Sequence, residues 1–438
     1  MLKIIISNLR DLLRFSSVSL CLKRLYWLVT VLFLLSTFPF VASAQESADG
    51  LAEALRLTAT LHPSVKSKLE ELRALGFDLE SANYQRYPTL SLQAQTMSDS
   101  QQQVVAALQQ PLWVGGRIDG SIEQSDVKLK IGTLALLGVR RQLIENAAAI
   151  YATLQGARMR LKAAELNVIE HEKLKELISR RESGGIASRA DVLLAASRTA
   201  QAAAQRIQLE GVLLRAQNDL LALTQKPLPG VMPVGEGMTM LPAENGISAD
   251  IEKASATVLQ RLIEVDLASA AEKLAFANMM PSLYAKLEQN VYVSSKYGES
   301  PHDTRVGLVL QGSLEGLGLS SWNRVKSSDA RIDAAKRDVE TARNDARRQA
   351  MSLLTDLRSL RLVMESNELL VKSTEETLAS FMRQYDAGRK SWVDVLNTQR
   401  ELSDARLGLE QTKSSLQETS LRLAAQLGLL DSHAGIKQ

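Results

Sequence analysis

Four stretches of this chain alternate strictly between apolar and polar residues. In the first, Leu90, Leu92 and Ala94 alternate with Ser91, Gln93 and Gln95. In the second, Val104, Ala106, Leu108 and Leu112 share one side. In the third, Leu283, Ala285, Leu287 and Val291 stand against Lys286, Glu288 and Asn290, and in the fourth Val306, Leu308, Leu310 and Leu314 alternate. A period of two is a strand with one apolar face. The pattern predicts strands over 88–97, 103–113, 282–293 and 304–315, with polar turns at 98–101 and 294–303.

Elsewhere the period is helical. No proline occurs between Pro111 and Pro227, nor after Pro301. The stretches 116–181 and 322–387 therefore predict helices of about 66 residues, roughly 100 Å at 1.5 Å per residue. Val395, Leu402, Leu409, Leu416, Leu423 and Leu430 recur every seven residues, as do Leu193, Ala200, Ile207, Leu214 and Leu221. A seven-residue apolar repeat is the seam of a coiled coil.

The order of elements occurs twice. The first repeat, 45–226, reads helix (64–85), two strands, long helix, turn (182–188) and returning helix (188–225). The second, 251–430, reads helix (252–278), two strands, long helix, turn (386–391) and returning helix (391–428), followed by a tail over 431–438. Between them, 227–250 is rich in proline and glycine and reads as a connector. The turns match at an offset of 203 residues: Gly185-Ile-Ala-Ser-Arg-Ala-Asp191-Val-Leu against Gly388-Arg-Lys-Ser-Trp-Val-Asp394-Val-Leu. Glycine in a left-handed conformation ends one helix, with Gly184 beside Gly185 in the first turn, and Ser188 or Ser391 caps the next. Taken alone, each is equally an ordinary helical hairpin turn.

The first 44 residues read as an export signal: Lys23 and Arg24, an apolar run over 25–40, then Ala42-Ser43-Ala44. The run is short for a membrane-spanning helix. Cys21 does not fit a lipid-anchor site, because Leu20 precedes it. Processing would remove five of 52 Lys/Arg and one of 49 Asp/Glu, leaving a net charge of −1 and no cysteine. The basic balance of the full chain thus carries no argument for nucleic acid. His62, His171, His302 and His433 are too scattered for a metal site. No nucleophile–base set or phosphate loop occurs, so the reading is not an enzyme and no cofactor is expected.

Strands that are apolar on one face and polar on the other, in an exported chain, fit a barrel with lipid outside and water inside. The competing reading is a half-buried hairpin on a soluble core. Aromatics favour the barrel. Tyr84, Trp113, Tyr284 and Trp322 sit near the strands, where amphipathic rings mark a membrane–water boundary. Length matching places one long helix antiparallel to two shorter ones stacked end to end. All four strands then lie at one end of a rod and both glycine turns at the other. Four strands cannot close, and open edges are not tolerated in lipid, so the chain must assemble with copies of itself.

These features resemble the TolC family of outer-membrane efflux proteins. The resemblance rests on the duplicated order, on Pro88-Thr-Leu-Ser-Leu and Pro281-Ser-Leu, on Gln110-Pro-Leu-Trp-Val-Gly-Gly-Arg117, and on the two turns. It implies a mostly α protein with a transmembrane β-barrel part: duplicated helical hairpins forming a periplasmic tunnel, and a homotrimer whose strands make a twelve-stranded barrel. It also implies partners, namely a periplasmic adaptor, an inner-membrane ABC transporter and outer-membrane lipid, and a passive role as exit duct. The roles of closing the tip fall on Asp191, Tyr385, Arg389, Lys390 and Asp394. Asn397 stands where the family's second acidic ring would be, which puts a two-ring constriction in question. A cation on one hairpin near Asp191 on the other would latch the tip. Asp386–Leu402 looks more like members serving type I protein secretion, including large adhesins, than like drug-efflux members. Multidrug efflux is the alternative. A non-channel periplasmic coiled-coil adaptor is the alternative of another class.

Overall fold

The computed structural model describes residues 50–96, 102–228, 233, 234, 238, 246–293, 302–313 and 315–436. The export signal, the turn at 98–101 and most of the connector and of the 294–303 turn lie outside the described residues. The elements run α1 (Gly50–Leu61), α2 (Pro63–Tyr84), β1 (Thr89–Thr96), β2 (Gln102–Trp113), α3 (Arg117–Ser183) and α4 (Arg189–Thr224). They continue with α5 (Ile247–Ala254), α6 (Ala256–Ala277), β3 (Ser282–Val293), β4 (His302–Gln311), α7 (Leu319–Asp386) and α8 (Trp392–Gln426).

The two long helices carry 67 and 68 residues. Each lies beside two shorter helices set end to end, α2 and α4 along α3, α6 and α8 along α7. Toward the sheet the lateral order is α2, α3, α6, α7, and toward the turns it is α4, α3, α8, α7. The helices form one curved layer, with α4 on one edge and α7 on the other.

The strands form one antiparallel sheet in the order β1-β2-β3-β4. Its register lines up Leu90, Leu108, Leu287 and Val306 in a single row across all four strands. These side chains are 65%, 40%, 41% and 81% exposed, and Leu92, Leu308 and Leu310 beside them are exposed as well. No helix or second sheet covers this face. On the opposite face polar groups pair with one another. Gln95 Nε2 donates to Gln103 Oε1 at 2.6 Å, and Lys286 pairs with Glu288 at 2.5 Å. Among the described residues, the outer edges of β1 and β4 have no partner strand.

The core lies at mid-height, where α1, α3, α4 and α8 meet around Leu55, Ile144, Tyr151, Leu154, Leu220 and Leu421. Several expectations are corrected here. Helix α1, absent from the reading above, is amphipathic, with Leu51, Ala54, Leu55, Thr58 and Ala59 buried; Pro63 separates it from α2. The predicted 252–278 helix is two helices, because Ser255 takes an extended conformation and caps α6 through its side chain. Strand β4 stops at Gln311 rather than 315, and a turn with positive φ at Gly316, Leu317 and Gly318 follows. Residues 431–436 are not a free tail. Asp431 is 1% exposed and pairs with Arg141 of α3 at 2.6 Å, and Ala434 is buried. The connector also packs: Leu228, Val234 and Met238 join the mid-height core.

The two seven-residue stripes part company. On α8, Val395, Leu402 and Leu423 are buried between α3 and α7, and Leu430, beyond the helix end, is buried in the mid-height core. On α4, Leu193, Ile207, Leu214 and Leu221 are 44–59% exposed. The α4 helix is held to α3 instead through Val192, Ala195, Ala202, Ala216 and Leu220. Its heptad stripe is therefore not a seam within the chain, because α4 has a neighbour on only one side.

Candidate functional site

The end of the rod far from the sheet is built by the two glycine turns. Gly185 and Gly388 have φ of 73° and 71°, which only glycine adopts without strain. After each, one residue's N–H reaches back five residues: Ile186 N donates to Arg181 O and Arg389 N to Gln384 O, both at 2.8 Å. Gly184 precedes the turn as the C-cap of α3. Ser188 and Ser391 then start α4 and α8 with reciprocal capping boxes. Each serine Oγ accepts from the aspartate N–H, and the aspartate accepts from the serine N–H. Such a cap stabilises a helix start by about 1 kcal/mol.

Asp191 and Asp394 are thus both engaged by their own turns. Lys390 pairs with Asp394 of its own hairpin at 3.5 Å and lies 4.2 Å from the Phe381 ring centroid. The Asp394 carboxyl is held below its ordinary value, chiefly by the hydrogen bond from the Ser391 hydroxyl, with the Ser391 N–H and Lys390 adding to it. Arg389 is exposed. Among the described residues no ion pair joins Asp191 to Arg389 or Lys390.

The contact that does join the two hairpins at the tip is one the sequence reading missed. Arg181 Nη2 lies 2.6 Å from Asp386 Oδ1, and its guanidinium sits 4.6 Å from the Tyr385 ring centroid. Tyr385 in turn packs on Trp392, with centroids 5.1 Å apart. Below them Leu174, Ile178, Val192, Trp392, Val395 and Leu396 form a small apolar core shared by both hairpins. One step above the tip, Arg198 of α4 donates to Asn397 of α8 at 3.5 Å. The signal for Arg181 and Asp386 lay in the repeat itself. At the 203-residue offset they align with Gln384 and Ser183, so each link residue is one at which the two halves differ.

Higher on the tip half, Arg406 of α8 bridges Glu170 of α3 at 2.9 Å and Glu375 of α7 at 2.7 Å. It ties three neighbouring helices together.

At the other end, Tyr84 closes α2, Trp113 ends β2 and Trp322 lies in the first turn of α7, all about half exposed or more. The helix opens three residues before the expected start at Trp322. Tyr284 lies near the start of β3. It shares the polar face with Lys286 and Glu288, and its hydroxyl accepts from Arg117 of α3 at 2.6 Å.

Among the described residues, no helix is long and apolar enough to cross a membrane, and no group of side chains could hold a metal ion. The exposed apolar face belongs to the sheet.

Comparison with known proteins agrees with this geometry. The outer membrane efflux protein family matches residues 54–224 and 249–429. Among solved structures, CusC superposes with a TM-score of 0.74 at 17% identity, covering 86% of this chain and 92% of that one. VceC of Vibrio cholerae gives 0.70 at 15% identity, covering 86% and 96%. The open state of MtrE of Neisseria gonorrhoeae gives 0.68 at 17% identity, covering 89% and 90%. No curated protein matches the sequence. Channels of this family are trimers that work with periplasmic adaptors and inner-membrane transporters. With both repeats matched from end to end, the chain belongs to the outer membrane efflux protein family: it is a passive outer-membrane channel continued by a helical tunnel on the periplasmic side.

Proposed function

We propose that this channel is the exit duct of a type I secretion system, passing a secreted protein such as a large adhesin from an inner-membrane ABC transporter and its periplasmic adaptor to the outside. The observation that carries the reading is the sequence Asp386–Leu402, which builds the second tip turn and the start of α8. Deleting the gene tests it. The expected result is loss of a large secreted or surface protein with drug susceptibility unchanged. A strain that turns drug-sensitive while its secreted proteins stay intact overturns it. That second outcome is the multidrug reading, which the family's description as efflux proteins favours.

The tip is the gate in this reading. Three copies bring six hairpins together, and closure rests on Asp191, Tyr385, Arg389, Lys390, Asp394 and Asn397 together with the Arg181–Asp386 link. Because Asn397 is neutral, the mouth offers cations less charge than two acidic rings would. Support for closure by copies of the chain comes from its two edges. The exposed α4 stripe lies on one and an exposed α7 stripe, Leu362 with Leu369 and Val363 with Leu370, on the other.

A further inference from the structure

Behind the tip, α3, α4 and α8 enclose a cleft of about 410 Å³, joined to the tip through the hydrogen bond from Arg198 to Asn397. Its wall holds an unusual number of unsatisfied groups. Asn167 Oδ1, His171 Nδ1, Arg198 Nε and Ser403 Oγ are all buried without a hydrogen-bond partner. Asn167, His171 and Ser403 are 5%, 4% and 5% exposed. A buried polar atom left unpaired costs about 1–3 kcal/mol; of the four, Arg198 Nε and Ser403 Oγ can donate to a ligand, His171 Nδ1 can when protonated, and Asn167 Oδ1 only accepts. Charge says which ligand. Arg198 and Arg400 both line the cleft, and among the described residues neither has a carboxylate partner within ion-pair distance. Asp404 is the one carboxylate on the wall. Glu170, next to His171, is already held by Arg406 and by Gln399 at 2.6 Å.

We propose that this cleft binds a small oxyanion, phosphate, sulfate or carboxylate, between the guanidinium groups of Arg198 and Arg400 and the hydroxyl of Ser403. Guanidinium groups are the side chains best suited to such ligands. The imidazole of His171 adds a second property. Burial, with Arg198 acting the same way and Glu170 opposing, pushes it below its ordinary value. It is therefore neutral at pH 7, and an anion nearby would favour its protonation. Binding should tighten as pH falls.

Isothermal titration of the full-length assembly in detergent with sodium sulfate tests this, since that ion keeps its charge between about pH 5 and 8; phosphate and acetate arms separate the ligand classes. The expected result is saturable binding that Arg198→Gln with Arg400→Gln weakens at least tenfold. Asp404→Asn should tighten it severalfold, and His171→Gln should remove the gain at acid pH. Arg400 and Asp404 are exposed, so their single variants keep the fold and must shift affinity in opposite directions. Non-saturable heat for all three anions, or equal affinity in wild type, Arg400→Gln and Asp404→Asn, overturns the proposal.

Discussion

Helices α4 and α8 occupy the same place in two copies of one design, begin with the same capping box and each carry a seven-residue apolar stripe, but the α4 stripe is set one residue later (Leu193 aligns with Leu396, not Val395), and only the α8 stripe is buried. The difference comes from that shift in register and from position. Helix α8 lies inside the curved layer, with α3 on one side and α7 on the other, whereas α4 lies at its edge. A heptad repeat states that a helix needs a neighbour; it does not say whether that neighbour belongs to the same molecule. The exposed α4 stripe is open to a contact with another subunit, while the α8 stripe holds the chain itself together.

Substitutions on the two stripes should separate these roles most sharply. Leu402→Ala on α8 should cost about 2–5 kcal/mol of chain stability, as buried leucine truncations do, and lower the thermal midpoint of the helical signal. Replacing Ile207 and Leu214 on α4 by aspartate should leave the chain's helical content intact and abolish the trimer on native gels. Loss of helix in both would refute the distinction. A smaller contrast concerns two glycines. A Cβ on Gly156, in α3, would stand 2.3 Å from Ser414 Cβ on α8, whereas one on Gly211, in α4, meets nothing within 4 Å. Gly156→Ala should destabilise by about 1–3 kcal/mol. Gly211→Ala should stabilise by roughly 0.5–1 kcal/mol, both read from denaturant midpoints.

The tip should respond more weakly still in energy, though visibly in current. The Arg181–Asp386 pair is partly exposed, 27% and 57% at the two side chains, and is worth about 1 kcal/mol. Three pairs in a trimer would shift an open–closed equilibrium roughly 5–150-fold. Arg181→Ala or Asp386→Asn should therefore raise the open fraction of single channels in planar bilayers; an unchanged open fraction would remove the pair from the gate. The least effect is expected from acid. The Asp394 carboxyl lies below its ordinary 3.8, so its contribution is fully present above that value and disappears only as pH falls through the lower folded value. The protection of amides at the second turn, taken relative to the intrinsic exchange rate at each pH, should be flat from pH 7 to about 4 and fall below that.

Much of this architecture was readable because period and glycine placement are local. The four strands, both long helices and the matched turns follow from spacing alone, with ends shifted by a few residues. What escaped was set by distant neighbours. The break at Ser255 needs only one residue to leave the helical region, and a polar serine inside a helical stretch does not announce it. The packing of 431–436 depends on Arg141, 290 residues away in sequence. Tyr284 was visible as an aromatic, while its bond from Arg117 depends on a residue 167 positions away. At the tip, Lys390 and Asp191 were visible as charges, while the pairing of Arg181 with Asp386 required knowing which helix faces which.

The uncovered row from Leu90 to Val306 and the two bare rims of the sheet carry a consequence for biogenesis. A lone chain crossing an aqueous compartment would present greasy side chains and unmet backbone groups at once, an invitation to clump with any stray ribbon it meets. Entry into lipid and joining with sister chains must therefore be a single coupled event, with the newly exported polypeptide shielded by an escort until then.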